Sequence, residues 1–493
     1  MSALVETAAG KLRGVERGDA LAFLGIPYAL PPLGERRFRA PVPAPPWSGV
    51  RDAHRFASRA VQTPMGPDDE AADHGSEDCL YLNVYAPKVA ERLPVLFWVH
   101  GGAFVMGSGN EIDASALASR GLVVVSVNYR IGPFGYLYLG DLAPTAADTN
   151  LALRDLGLAL EWTRENIAAF GGDPERIALA GESSGAMTVG AMLAMPATRG
   201  KFSAAVLMSG AARQVRTPEL ATRSALMYLS ELGLAPKDAA RLTELPTEVL
   251  RQASAALAAY SQHDEQFDGE VVLPVFGDDV LPLHPMDAVR AGVARDVPLI
   301  VTWALKDVGL FRILDPDNGA RNKELFARRL FGEAHWERLR ALYEETGDDW
   351  YTDILTDFHF GIPALRLAEA QCAAGGTVHV GRFDRAPATP PWQRFGPVHT
   401  CDLFYLFTPL GTPSGTHDWV EVGDGMVADD VGLAERVRDT VIALAAGEPL
   451  TERAWPAYEL TRRPTMLFDE PSSVVDDPGA GRRSAWDSLL EQH

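Results

Sequence analysis

Ile177-Ala178-Leu179-Ala180-Gly181-Glu182-Ser183-Ser184-Gly185-Ala186 decides how the whole chain is read. The apolar run Ile177–Ala180 enters a Gly-x-Ser-x-Gly turn, and Ala186 to Met195 continues with helical character. Strand, sharp turn with a serine at its apex, then helix is the form of a nucleophile elbow. The glycines have a steric reason. The turn brings neighbouring backbone so close that a Cβ would clash, and it holds the serine in a strained conformation. The register is fixed on Ser183, because Glu182 and Ala186 flank Ser184 at the same spacing. With 45 glycines in 493 residues, such a pattern arises by chance in roughly one of every few chains, so the surrounding segments must carry the reading.

Those segments alternate. Leu80–Tyr85, Pro94–Val99, Leu122–Asn128, Ile177–Ala180, Ala204–Met208, Val297–Thr302 and Val378–Phe383 read as strands, the last being the final one expected. Val95-Leu96-Phe97-Trp98-Val99 and Val123-Val124-Val125 are near-continuous apolar runs, as strands buried on both faces require. Asp148–Phe170 has helical periodicity and stops at Gly171-Gly172. Further helices are expected at Pro218–Leu232, Thr247–Tyr260, Lys323–Phe331, His335–Glu345, Thr356–Ala374 and Val431–Ala446. Strands near Val5–Leu12 and Ala20–Phe23 precede a Pro-rich loop, Ile26–Trp47. Thr63–Gly75, Ala386–Pro397 and Pro409–Asp424 are the most irregular stretches. The pattern predicts an α/β chain: a large, mostly parallel central sheet flanked by helices, with a small N-terminal strand region. It reads as one domain over residues 1–493, with helical insertions at about 210–290 and 310–375.

Composition narrows the partners. The net charge is −21 and no Lys/Arg block occurs, which argues against nucleic acid. No stretch of eighteen or more apolar residues offers a membrane span. Met1–Thr7 has neither a basic nor an apolar leader segment. Cys79, Cys372 and Cys401 lack metal-ligand spacing and read as free thiols in a reducing cytoplasm. No metal and no cofactor is expected, and no motif speaks to oligomeric state.

A serine nucleophile needs a base, a group that orients the base, and donors for the oxyanion. After an elbow serine the expected order is acid, then histidine. Upstream, His100-Gly101-Gly102-Ala103-Phe104 follows the strand ending at Val99. A glycine-rich turn there leaves backbone N–H groups available for developing negative charge.

Together with these motifs, several blocks in order resemble the type-B carboxylesterases, the group containing para-nitrobenzyl esterases and cholinesterases. They include Gly25-Ile26-Pro27-Tyr28-Ala29, Ser76-Glu77-Asp78-Cys79-Leu80, Asn128-Tyr129-Arg130-Ile131-Gly132, Asn166 to Pro174 and Trp455-Pro456-Ala457-Tyr458. The resemblance covers nearly all of the chain. It implies the α/β-hydrolase fold and ester hydrolysis through an acyl-enzyme. By position it makes Ser183 the nucleophile and assigns the oxyanion donors to Gly102, Ala103 and Ser184. Gly396-Pro397-Val398-His399-Thr400-Cys401-Asp402-Leu403 matches the segment of the base, which makes His399 that base. The acid segment aligns Asp307 with the family's glutamate. Val308 replaces the following glycine, and Thr302 and Trp303 replace small residues nearby. Asp307 is one methylene shorter than glutamate, so the backbone or His399 must move to meet it. Asp402 is the rival acid. Glu182 and Ser209 map beside the triad. Arg37 with Glu77, and Arg130 with Asp155, map as salt bridges tying loops to the sheet. Cys79 matches a disulfide cysteine of secreted relatives, but no cysteine stands near Val61 to pair with it.

The function this implies is a serine carboxylesterase acting on a small-molecule ester. Two alternatives stand beside it: a carbamate, amide or specialised natural-product ester hydrolase with the same triad, and an impaired interaction protein on a hydrolase scaffold. Phe104, Trp303 and Phe311 are candidates for the pocket wall.

Overall fold

Two apolar runs of the sequence, Leu93–Val99 and Gly172–Glu182, lie side by side as parallel strands at the centre of an eleven-stranded sheet. The computed structural model describes residues 3–62, 74–261, 272–314, 328, 331–345, 347, 349–390, 392–407, 426–450 and 454–490. In chain order the strands are β1 (Leu4–Thr7), β2 (Gly10–Arg13), β3 (Val15–Arg17), β4 (Ala20–Pro27), β5 (Val50–Asp52), β6 (Tyr81–Pro87) and β7 (Leu93–Val99). They continue as β8 (Val123–Val127), β9 (Gly172–Glu182), β10 (Ala204–Met208), β11 (Leu299–Ala304), β12 (Val378–Phe383), β13 (Pro464–Phe468) and β14 (Ser473–Asp476). The large sheet runs β14-β13-β12-β11-β10-β9-β7-β8-β6-β4-β3, and β1, β2 and β5 form a small separate sheet. From β13 across to β8 every neighbouring pair is parallel; antiparallel pairing is confined to the two flanks.

Period-2 geometry sends alternate residues of each central strand to opposite cores. Val95, Phe97 and Val99 pack with helices Leu151–Asn166 and Ser184–Met192 on one face. Leu96 and Trp98 pack with helices Cys401–Phe407 and Ala428–Ala446 on the other. Burying each such side chain contributes roughly 1.5–3 kcal/mol, so these runs cannot tolerate a one-residue slip. Gly171, at φ +82°, caps the turn that follows helix Leu151–Asn166 and delivers the chain into β9.

The centre of the sheet is also its switch point. From β7 the chain goes to β8 on one side, then returns to β9 on the other. In open parallel sheets a crevice forms outside the carboxyl ends of the strands at such a point. Val99-His100 and Glu182-Ser183 stand at those ends.

Two expectations need correction. β12 is not the last strand: β13 pairs with it in parallel, and β14 closes that edge antiparallel to β13. The five-residue run Pro464–Phe468 is too short to declare itself, yet Phe468 stacks on Phe383 at 4.6 Å. The helix expected over Thr356–Ala374 is interrupted. Helix Trp350–Thr356 passes through a π turn at Asp357–Gly361 before helix Ile362–Ala373 begins. Pro363 supplies no N–H, which favours a break there. The helix expected at Lys323–Phe331 lies outside the described residues apart from its positions 328 and 331, as do the stretches 63–73 and 409–424.

Both mapped salt bridges form. Arg130 pairs with Asp155 on two bonds, Nη2–Oδ1 at 2.6 Å and Nε–Oδ2 at 2.8 Å, fully buried on helix Leu151–Asn166. Arg37 pairs with Glu77 at 2.6 and 2.7 Å. Its remaining donor reaches the carbonyls of Leu242, Thr243 and Leu245. Arg37 therefore ties the N-terminal loop to the segment between β10 and β11 rather than to the sheet. Asp155→Ala leaves the Arg130 cation buried without its counter-charge. It should cost about 3–5 kcal/mol and lower the urea midpoint; replacing both residues with apolar ones should recover much of the loss. An unchanged midpoint in Asp155→Ala would refute this.

Candidate active site

Ser183 sits between β9 and helix Ser184–Met192 at φ +56°, ψ −131°, a region that non-glycine residues rarely occupy. The flanking glycines allow it. A Cβ on Gly185 would fall 2.2 Å from the Val99 carbonyl oxygen, and one on Gly181 would fall 2.5 Å from Gly185 C. The Ser183 N–H donates to Met208 O at 2.9 Å, which ties the turn to β10. Its hydroxyl keeps slight exposure, 9% for the residue, and bonds none of the described residues.

Asp307 and His399 meet. His399 Nδ1 lies 2.5 Å from Asp307 Oδ1. The other carboxylate oxygen accepts from Ser209 Oγ and from the Ala304 N–H, each at 2.9 Å. Asp307 is fully buried, so both oxygens are engaged inside the protein. The missing methylene is made up by backbone. Lys306 N–H donates to Pro397 O at 2.9 Å, and His399 N–H donates to Asp307 O at 3.1 Å. The two loops are drawn together until the shorter side chain reaches. Asp402 is buried one turn away at the start of helix Cys401–Phe407, where Oδ1 accepts from the Leu403 N–H at 2.9 Å. It does not reach His399 Nδ1.

The second ring nitrogen, His399 Nε2, lies 3.2 Å from Glu182 Oε1, off the line of a hydrogen bond. Three buried carboxylates thus lie near one buried imidazole. Burial pushes Glu182 up to about 8, with the His399 charge pulling the other way. Burial, reinforced by Asp307, pushes Asp402 up to about 7. For His399 burial works downward, but the Glu182 and Asp307 charges outweigh it and raise the group to about 9.

The turn after β7 completes the arrangement. Gly102 (φ +115°), Ala103 (φ +51°) and Phe104 (φ +63°) are all left-handed. A Cβ on Gly101 would come 3.0 Å from Ser183 Cβ, so this turn lies against the serine. No acceptor among the described residues takes the N–H of Gly102 or Ala103. Ser184 is the first helical residue, and its buried Oγ has no partner among the described residues. His100 is buried, stacked on Tyr129 at 4.5 Å, and burial lowers it to about 4.

Of the expected wall residues, Phe311 is 43% exposed with its ring 5.0 Å from His399, whereas Phe104 and Trp303 are buried. Phe360, 4.9 Å from the His399 ring on its π turn, was not expected. Neither was the Ala304 N–H on Asp307. No sequence pattern marks either, since both depend on how the chain folds back. His54 is exposed and His335 half-buried; His284 caps helix Pro285–Arg290 by accepting from Met286 N–H. His263 and His417 lie outside the described residues.

A serine at a strand–helix elbow beside the sheet's switch point and an imidazole bound to a buried carboxylate define an α/β-hydrolase. Residues 1–484 match the carboxylesterase family, and the chain belongs to it. It is 34% identical to a para-nitrobenzyl esterase of Bacillus subtilis (strain 168), over 97% of each chain. It is 32% identical to a fumonisin B1 esterase of Sphingopyxis macrogoltabida, over 96% of this chain and 87% of that one. A carboxylesterase structure from Geobacillus stearothermophilus aligns with a TM-score of 0.83 at 35% identity, covering 98% of this chain and 99% of that one. The activity is that of a serine carboxylesterase; the carbamate or amide reading and the inert scaffold are not favoured. Among the described residues no helix is long and apolar enough to cross a membrane.

Removing the Glu182 charge takes away the first-ranked of the supports for the His399 cation, ahead of Asp307 and Asp402. Glu182→Gln should therefore lower the His399 pKa, by roughly one unit, read from imidazole resonances in histidine-labelled protein. A titration unmoved from wild type would contradict the electrostatic account.

Proposed function

We propose that Ser183, His399 and Asp307 carry the esterase reaction, with Gly102, Ala103 and Ser184 as oxyanion donors. In its neutral form, His399 takes the Ser183 proton as Oγ attacks the ester carbonyl. The three N–H groups hold the oxyanion, and His399 returns the proton to the departing alcohol. Water, deprotonated by the same imidazole, then releases the acid. Asp307 holds His399 in the tautomer with Nε2 open to Ser183, and it stabilises the imidazolium. The observation that carries this reading is the 2.5 Å Asp307–His399 contact, whose far oxygen Ser209 and Ala304 pin. Glu182 and Asp402 act through charge: each stabilises the imidazolium to the extent that it is ionised. Ser209 positions Asp307.

The same reading takes the chain as one hydrolase unit, with helical segments inserted after β10 and after β11. The substrate is a small-molecule ester, in line with the esterase names of its relatives. The thiols of Cys79, Cys372 and Cys401 support a reducing, cytoplasmic setting.

With para-nitrophenyl acetate, Ser183→Ala should lower kcat/KM by at least ~10³-fold. Asp307→Asn should cost about 10³–10⁴-fold, and Asp402→Asn less than about ten-fold. A larger loss in Asp402→Asn than in Asp307→Asn would transfer the orienting role to Asp402.

A further inference from the structure

The turn that carries Asp307 is held from two sides. Toward the active site, its backbone bonds Pro397 and His399. Away from it, the turn rests on helix Trp350–Thr356. Lys306 Nζ lies 2.5 Å from Asp353 Oδ1, and the Val308 N–H donates to Thr356 Oγ1 at 3.1 Å. Asp353 and Thr356 stand at i and i+3 of that helix and so share a face. Lys306 and Val308 flank Asp307, so the two bonds grip the turn on either side of the carboxylate. The grip matters because an aspartate has little spare reach. The backbone position of the turn decides whether Asp307 keeps its 2.5 Å contact with His399.

Asp353 is 5% exposed and takes a second cation. Arg482 Nη2, from helix Ala480–Leu490, donates to Asp353 Oδ2 at 3.1 Å. Each oxygen of this buried carboxylate therefore meets a cation from a different part of the chain. Charge-assisted bonds of this kind fix orientation as well as contributing energy. The Arg482 guanidinium also lies over the Tyr343 ring at 4.6 Å. One turn further on, Trp486 anchors the same helix. Its Nε1 donates to the Tyr343 hydroxyl at 2.8 Å, and that hydroxyl donates to Asp357 Oδ2 at the start of the π turn. The Trp486 ring stacks on Phe358 at 5.9 Å and is buried with Trp336, Tyr343 and Ile354 in a small core apart from the two that flank the sheet. Helix Ala480–Leu490 is thus docked by packing, and Arg482 is presented to Asp353 from a fixed base.

We propose that Asp353 and Arg482 are positioning residues for the esterase reaction. Helix Ala480–Leu490 holds Asp353, Asp353 holds Lys306, and the turn so fixed sets Asp307 at its distance from His399. Both residues act through Asp307, so the proposal rests on Asp307 being the acid that orients the base. A misplacement of about 1 Å at a reacting centre can cost on the order of 10²-fold in rate, and a loosened turn moves Asp307 directly.

The test measures kcat and KM with para-nitrophenyl butyrate. Arg482→Met and Asp353→Asn should each lower kcat by about ten-fold, with KM within about two-fold of wild type. Arg482→Lys, which keeps a cation and a donor for Asp353, should stay within about three-fold of wild type. On an Asp307→Asn background, Arg482→Met and Asp353→Asn should cost no more than about two-fold further, because the group they act through has gone. Unchanged kcat in both single variants would overturn the proposal. So would the same loss repeated on Asp307→Asn, since general damage to the fold does not need Asp307, and so would an Arg482→Lys as slow as Arg482→Met. Should either variant fail to fold, Lys306→Met, at a side chain 33% exposed, replaces it under the same criteria. An Asp307→Asn enzyme within about ten-fold of wild type would instead strike the acid assignment, and so separates the two failures.

Discussion

The close approach of the elbow to the end of β7 is the constraint on which the rest depends. Gly185 lies against the Val99 and His100 carbonyls, Gly101 against Ser183, and Gly210 against the Ser183 carbonyl. Any of these positions with a Cβ would push one wall of the crevice away. Because the backbones touch, Ser183, the His100–Phe104 turn and β10 are placed by main chain rather than by side-chain packing. The unusual Ser183 conformation costs of order 1–3 kcal/mol. The Met208 hydrogen bond and the start of a buried helix offset it. The strained residue is the one proposed as the nucleophile.

That backbone frame allows a charge arrangement that would otherwise be costly. Three carboxylates and an imidazole share a region with almost no exposure. Only Asp307 has both oxygens engaged; Glu182 Oε1 and Asp402 Oδ2 lack hydrogen bonds among the described residues. The two less satisfied acids are the ones burial raises. In this way the pocket limits its own charge while keeping an anion ready wherever His399 becomes cationic. A single buried carboxylate with full hydrogen bonding fixes the ring, and two partly protonated ones tune it.

The elbow and the glycine turn were legible in the sequence because each is a local pattern with a local steric reason; His399 was legible only through the resemblance of Gly396–Leu403 to the family's segment. The central strands were legible because burial on both faces demands unbroken apolar runs. Asp307 was harder. Its side chain is shorter than the glutamate it replaces, and sequence cannot show that the Lys306–Asp307 turn hydrogen-bonds directly to Pro397 and His399. β13 was missed because five residues carry little periodic signal, and its support comes from Phe383, far away in the chain. The π turn was missed because Thr356–Ala374 has continuous helical character. Its irregularity follows from what packs against it.

What packs against it is Trp303. A Cβ on Gly361 would sit 3.3 Å from the Trp303 indole nitrogen, and the ring fills the space beside the turn. Val308, the other departure in the acid segment, donates its N–H to Thr356 Oγ1 at 3.1 Å, at the mouth of the same turn. The departures from the family's small residues therefore converge on one structural object. That object sets Phe360 against His399 on one side and Phe358 against Arg213 on the other. The elbow keeps its glycines because backbone contact leaves no alternative. The wall facing it is made of side chains, which can be exchanged at the cost of local repacking. On the proposed mechanism, chemistry and selectivity are thus separated by material: main chain fixes the reacting atoms, and the Trp303-supported turn forms a wall beside them.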